Sequence, residues 1–102
     1  MGYKVILSLG AEKDLEDIVE FISNDKPDVG KRVGGEIVRH LRMLENFPRA
    51  GRVVPEFGEE NLREIVHSPY RLIYEVNDKA SQIEVIRIWH AARGVPEIGP
   101  NL

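Results

Sequence analysis

Cysteine is absent from the 102 residues. That excludes disulfides, thiolate metal sites and cysteine nucleophiles together, and it fits a reducing compartment. Long hydrophobic runs are absent too. A membrane span needs about 20 apolar residues, and a signal peptide needs a longer apolar stretch than the amino-terminal MGYKVILSLGAEKDLEDI provides. A cytoplasmic protein without membrane contact is therefore expected. An excess of positive charge is also missing: the net charge is −3, with a pI near 5.6. Proteins that live on a nucleic acid backbone usually carry a basic excess, because phosphate neutralisation supplies most of their affinity. No Gly-rich phosphate loop follows a strand, and no Ser sits in a nucleophile-elbow context. His40, His67 and His90 stand alone, away from any metal-ligand spacing. No metal and no cofactor is expected.

What is present describes an ordinary globular domain, with 42% hydrophobic and 30% charged residues. Tyr3 to Leu9 is a short β-rich run. Ser8 is placed to cap a helix whose apolar face is Ala11, Leu15, Ile18, Val19 and Ile22, with acids on the other side. Pro27 is placed to open a second helix with the stripe Val29, Val33, Ile37, Leu41 and Leu44. Gly34-Gly35 interrupts that stripe, which predicts close approach of the two helices. Phe47-Pro48 ends the helix, and PRAGRVVPEFGEE reads as a loop.

Three β-rich runs follow: Leu62–His67, Tyr70–Asn77 and Gln82–His90. Their short polar links predict antiparallel hairpins, and the last run is apolar on both parities, as in a strand buried on two faces. The expected fold is α+β in the order β-α-α-β-β-β, a helical hairpin packed on a small antiparallel sheet. It forms a single domain over residues 1–94, with 95–102 as a loose tail.

Charge is unevenly spread. Residues 1–30 hold seven acids against three lysines, and Lys31 to Arg52 hold six bases against two acids. The basic stretch reads as a solvated helix face. Arg63, Arg71, Arg87 and Arg93 lie on or beside the last three strands, together with His90. If these cations gather at one sheet edge, they call for an anion; otherwise they pair with acids across the strands.

The segments AEKDLEDIVEFI, LRMLENFPRAGRVVPE, LREIVHSPYRLIYEV and IEVIRIWHAARG, in this order and spacing, resemble the RelE/ParE superfamily of toxins from type II toxin–antitoxin (plasmid stabilization) modules. The resemblance covers nearly the whole chain. It implies the β-α-α-β-β-β fold, a small cognate antitoxin, and assembly as a homodimer or as a heterotetramer with that antitoxin. Two activities occur among such proteins: RelE-like members cut messenger RNA on the ribosome without metal, and ParE-like members bind and inhibit DNA gyrase.

For a RelE-like nuclease the resemblance implies Arg71 as stabiliser of charge on the scissile phosphate and His90 as general acid or base. Arg63 and Arg93 complete that candidate set. The chain departs from the nuclease pattern elsewhere. Glu56, Glu59, Glu60 and Glu64 stand where bases are usual, Ala91-Ala92 precede Arg93, and no tyrosine follows Tyr74. These departures favour the ParE-like reading, with the nuclease and a non-toxic member as alternatives.

Overall fold

Ser8 organises the first half of the chain. Its Oγ accepts from the Ala11 amide at 3.0 Å, capping the first helix, while its hydroxyl donates to the Ile86 carbonyl at 2.8 Å. The computed structural model describes residues 2–98. Before Ser8 runs β1 (Lys4–Leu7); after it come α1 (Leu9–Asp25) and α2 (Pro27–Met43), the latter with Pro27 in its first turn as expected.

The two helices approach closely because two glycines allow it. A Cβ at Gly30 would meet Ser23 and the Val19 carbonyl, and one at Gly34 would lie 2.9 Å from a Val19 methyl carbon. Gly35, by contrast, would meet only Arg39 at 3.8 Å. The expected close approach is therefore real, but its contacts are Gly30 and Gly34, and α2 runs unbroken through the pair.

The remaining strands are β2 (Arg52–Val53), β3 (Leu62–His67), β4 (Tyr70–Asn77) and β5 (Gln82–His90), followed by a 3-10 turn at Ala91–Arg93. They form a five-stranded sheet in the order β1-β5-β4-β3-β2. The α+β arrangement of a helical hairpin on a sheet is as the sequence predicts, with two differences. First, β1 pairs in parallel with β5, from Lys4↔Gln82 to Leu7↔Val85, so the sheet is mixed. Hairpin links between neighbours say nothing about a strand paired with the far end of the chain. Second, the loop after α2 contains β2, which pairs with β3 through Arg52↔Glu64 and Val53↔Arg63. Gly51 permits this, since a Cβ there would collide with the Glu64 backbone and with the Tyr74 hydroxyl at 2.8 Å.

The sheet has two unlike faces. Toward the helices, Tyr70, Leu72, Tyr74, Val76, Ile83, Val85 and Ile88 pack on Ala11, Ile37, Leu41 and Leu44. On the other face a smaller cluster of Val54, Leu62, Ile73 and Trp89 is covered by Phe57, Ile86 and Ile98. Residues 94–98 lie against this second cluster: Trp89 Nε1 donates to the Gly94 carbonyl at 3.2 Å, and Pro96 is buried. The rest of the expected tail, 99–102, lies outside the described residues.

Candidate functional site

Alternation along β4 and β5 decides where each candidate side chain goes. Arg71 pairs in register with Trp89, and Tyr70 with His90. Trp89 belongs to the face away from the helices and Tyr70 to the face beneath them. Arg71 and His90 are therefore separated by the thickness of the sheet. Arg63 pairs with Tyr74, a residue of the helix-side core, and so also lies opposite Arg71. Arg93, stacked on Trp89, shares the face of Arg71, so the four residues proposed from the sequence divide two and two between the faces of the sheet.

Arg71 anchors the open face. Its Nη1 and Nη2 donate to the two carboxylate oxygens of Glu56 at 2.8 and 2.7 Å, and its Nε donates to Glu64 Oε1 at 2.6 Å. Glu64, with a side chain 0% exposed, uses its second oxygen to accept from Arg52 Nε at 2.7 Å. The result is a chain of alternating charge, Glu56–Arg71–Glu64–Arg52, built by β2, β3, β4 and the loop that follows β2. Hydrogen bonds from Arg71 hold the Glu56 carboxyl down at about 2, against an ordinary 4.5, while Glu56 and then Glu64 push the Arg71 guanidinium up. The guanidinium fork that would grip a phosphate is filled by a carboxylate of the same chain.

The other arginines are also engaged. Arg63 donates from Nε to the Glu60 carbonyl, from Nη2 to the Glu60 carboxylate and from Nη1 to the Gly51 carbonyl. Arg87 grips Asp14 of α1 at 2.7 and 3.0 Å, which raises its pKa, and donates from Nη1 to the Glu97 carbonyl. Arg93 stacks on the Trp89 ring, 4.1 Å from its centroid, with no carboxylate partner among the described residues. Two of the cations do gather: Arg87 and Arg93 both lie over the Trp89 ring, 5.1 and 4.1 Å from its centroid, while Arg63 and Arg71 are held by Glu60 and by Glu56 and Glu64.

The histidines give the opposite result. Apart in sequence, His40 of α2 and His67 of β3 meet with Nε2 and Nδ1 3.1 Å apart. Glu36, one turn before His40, places Oε1 3.4 Å from His67 Nε2. His90 is a separate case: its Nδ1 accepts from the Ala92 amide at 3.1 Å, and its ring meets Tyr70 edge-on at 5.4 Å. The Glu36–His40 spacing was the one signal in the sequence, and it had no meaning until β3 arrived beside α2. Among the described residues, no group of three or more His, Asp or Glu side chains is placed to hold a metal.

A second feature that residue types alone did not reveal is a groove of about 600 Å³ along α1. Leu7, Leu15 and Val19 line its floor. Glu12, Glu16 and Glu20 edge it at intervals of four, which places them on one line of the helix. The groove thus combines an apolar floor with a rim of one charge sign. Among the described residues, no helix is long and apolar enough to cross a membrane.

Comparisons with known proteins agree with this geometry. No curated protein matches the chain by sequence. Several solved structures share the fold. One is a chain of the toxin–antitoxin complex RelBE2 from Mycobacterium tuberculosis, with 21% identity, a TM-score of 0.65, and coverage of 88% of this chain and 99% of that one. Another, from the chromosomal ParDE toxin–antitoxin system of P. aeruginosa, has 18% identity and a TM-score of 0.70 over 86% and 95% of the two chains. A third, an E. coli RelE toxin variant in the free state, has 21% identity and a TM-score of 0.68 over 92% and 88%. The sequence model for the ParE toxin of the type II toxin–antitoxin system parDE matches residues 5–95, from β1 through the turn after β5. With fold and sequence pattern in accord over that span, the chain belongs to the ParE toxin family of type II toxin–antitoxin systems.

Proposed function

We propose that this toxin acts as ParE-like members do, by binding and inhibiting a target protein such as DNA gyrase in the cytoplasm, and that a cognate antitoxin neutralises it. The observation that carries this reading is the state of Arg71. A nuclease needs a guanidinium free to stabilise charge developing on phosphate, whereas this one is bound by Glu56 and Glu64 on three sides. Arg63 and His90 lie on the opposite face of the sheet and cannot join it. The negative net charge supports the same reading, because it opposes association with ribosomal RNA.

The antitoxin surface that fits best is the α1 groove. Its floor takes an apolar helix face, and Glu12, Glu16 and Glu20 favour a segment carrying Lys or Arg at matching intervals.

Expression of the chain alone in bacteria, followed by assays on purified protein, tests the proposal. Filamentation with DNA damage, and loss of gyrase supercoiling in vitro, are the expected results. Cleaved messages within minutes of induction would replace this reading with the ribosome-dependent nuclease, and unaffected growth would replace it with a non-toxic member. Reversing the rim charges with Glu12→Lys, Glu16→Lys and Glu20→Lys should weaken antitoxin binding while leaving toxicity intact. Unchanged antitoxin affinity would move the docking surface elsewhere.

A further inference from the structure

We infer that His40 and His67 form a two-imidazole site for a divalent transition-metal ion, Cu2+ above Ni2+ and Zn2+, with Glu36 behind His67 as its orienting carboxylate. The inference stands apart from the choice of toxin target.

Geometry comes first. The two nitrogens are 3.1 Å apart and come from elements 27 residues apart, α2 and β3, with ring planes inclined at 61°. Metal–imidazole bonds of about 2.0–2.1 Å place two neighbouring ligand nitrogens about 2.8–3.4 Å from each other, across the range from square to tetrahedral angles. The pair already has that separation. Reorienting each ring by about 40° turns both lone pairs from the line between the nitrogens toward a common point.

Glu36 is the second, independent observation. Its carboxylate faces Nε2 of His67, the nitrogen not used in the pair, at 3.4 Å. That is long for a hydrogen bond and shortens with a small side-chain rotation. A carboxylate on this side favours the tautomer with the proton on Nε2, which leaves Nδ1 with a free lone pair. A carboxylate behind a ligating histidine is the usual second layer of a metal site. One proton lies between His40 Nε2 and His67 Nδ1 in the metal-free pair; a metal ion held by both nitrogens displaces it, through solvent, to the other nitrogen of its own ring.

Surroundings set the kind of site. His40, His67 and Glu36 are half-buried, so an ion can reach them from solvent. Two protein ligands leave the other coordination positions to water, as in exchangeable sites rather than closed structural ones. Imidazole ligands select Cu2+, Ni2+ and Zn2+, and exclude Mg2+ and Ca2+, which take oxygen. His90 stands apart from this pair, its Nδ1 accepting from the Ala92 amide and its ring against Tyr70. A bound ion would fasten the second half of α2 to the sheet and raise stability by mass action.

The test uses the untagged, chelator-treated chain titrated with CuCl2, ZnCl2 and MgCl2 by calorimetry, with NMR to locate the site. One equivalent of Cu2+ should bind and broaden the His40 and His67 ring signals first, and Mg2+ should leave them unchanged. His40→Gln and His67→Gln, checked for folding by circular dichroism, should each abolish the one-equivalent step, whereas His90→Gln should keep it. Glu36→Gln should weaken binding about 10–100-fold. Absence of one-equivalent binding in the parent chain, or its survival in either His40→Gln or His67→Gln, would overturn the site. Unchanged affinity in Glu36→Gln would overturn the role given to the carboxylate.

Discussion

The two faces of one sheet solve the problem of burial by opposite chemistry. Beneath the helices, seven apolar residues of β4 and β5 meet four from the helical half of the chain, Ala11, Ile37, Leu41 and Leu44. On the open face only Val54, Leu62, Ile73 and Trp89 are buried as an apolar cluster, and beside them lies the charge chain Glu56–Arg71–Glu64–Arg52. The apolar face tolerates substitution by volume, because its attraction has no direction. The charged face tolerates little, because every buried group depends on a named partner. The difference teaches that an arginine which looks reactive in the sequence, Arg71, is held here by carboxylates of its own chain.

The comparison is most directly broken at Glu64. Glu64→Ala removes a fully buried carboxylate and leaves Arg71 partly unpaired, at an expected cost of about 3–5 kcal/mol. Leu72→Ala, from the same sheet but the apolar face, should cost about 2–5 kcal/mol. Urea denaturation of both variants decides the matter. A loss below about 1 kcal/mol for Glu64→Ala would show that the charges add nothing to the open face.

A smaller effect is expected at Tyr74→Phe. The Tyr74 hydroxyl accepts from the Gly51 amide at 2.9 Å within the interior, so its removal strands a buried donor at about 1–3 kcal/mol. Thermal melts should register this as a lower Tm with unchanged secondary structure.

Acid sharpens the contrast further. With its carboxyl held down at about 2 rather than 4.5, Glu56 contributes stability that is fully present above pH 4.5 and is lost as pH falls toward 2. Glu56→Gln should therefore be less stable than the parent chain near neutrality, and the gap should close on acidification. Denaturation curves at about pH 6 and about pH 2.5 test this, and a gap that persists in acid would remove the ion pair as its source. The smallest effect belongs to Lys13→Ala. Its partner Asp17 is 3.4 Å away and both side chains are largely exposed, so the change should stay below about 0.5 kcal/mol.

What the sequence revealed divides along the same lines. The cap at Ser8, Pro27 at the start of α2 and the three carboxy-terminal strands were legible because each rests on neighbours within a few residues. The helix-side core was legible too, since periodicity marks which residues are buried. The partners of Arg71 were not. Glu56 lies 15 residues away on the loop after β2, and no pattern ties the two before β2 is seated on β3. For His40 and His67 the difficulty is the same: their meeting depends on how α2 lies across the sheet. The acidic ridge of α1 was visible as charge, but the apolar floor that turns it into a groove needed Leu7 from β1.

The parallel pairing of β1 with β5 has a mechanical consequence. Antiparallel neighbours pulled by their joined ends open one rung at a time. A force applied near the two ends of this domain instead runs along β1 and β5 in opposite senses, so the rungs from Lys4↔Gln82 to Leu7↔Val85 are loaded together in shear. The Ser8 hydroxyl bond to Ile86, spanning 78 residues, lies at the end of the same seam. In single-molecule pulling, a tether through Gly2 and Arg93 should need more force than one through Arg63 and Tyr74, which peels β3 from β4. Equal rupture forces would refute the shear geometry. A protease that unfolds substrates by drawing on one end would meet this seam as its first resistance.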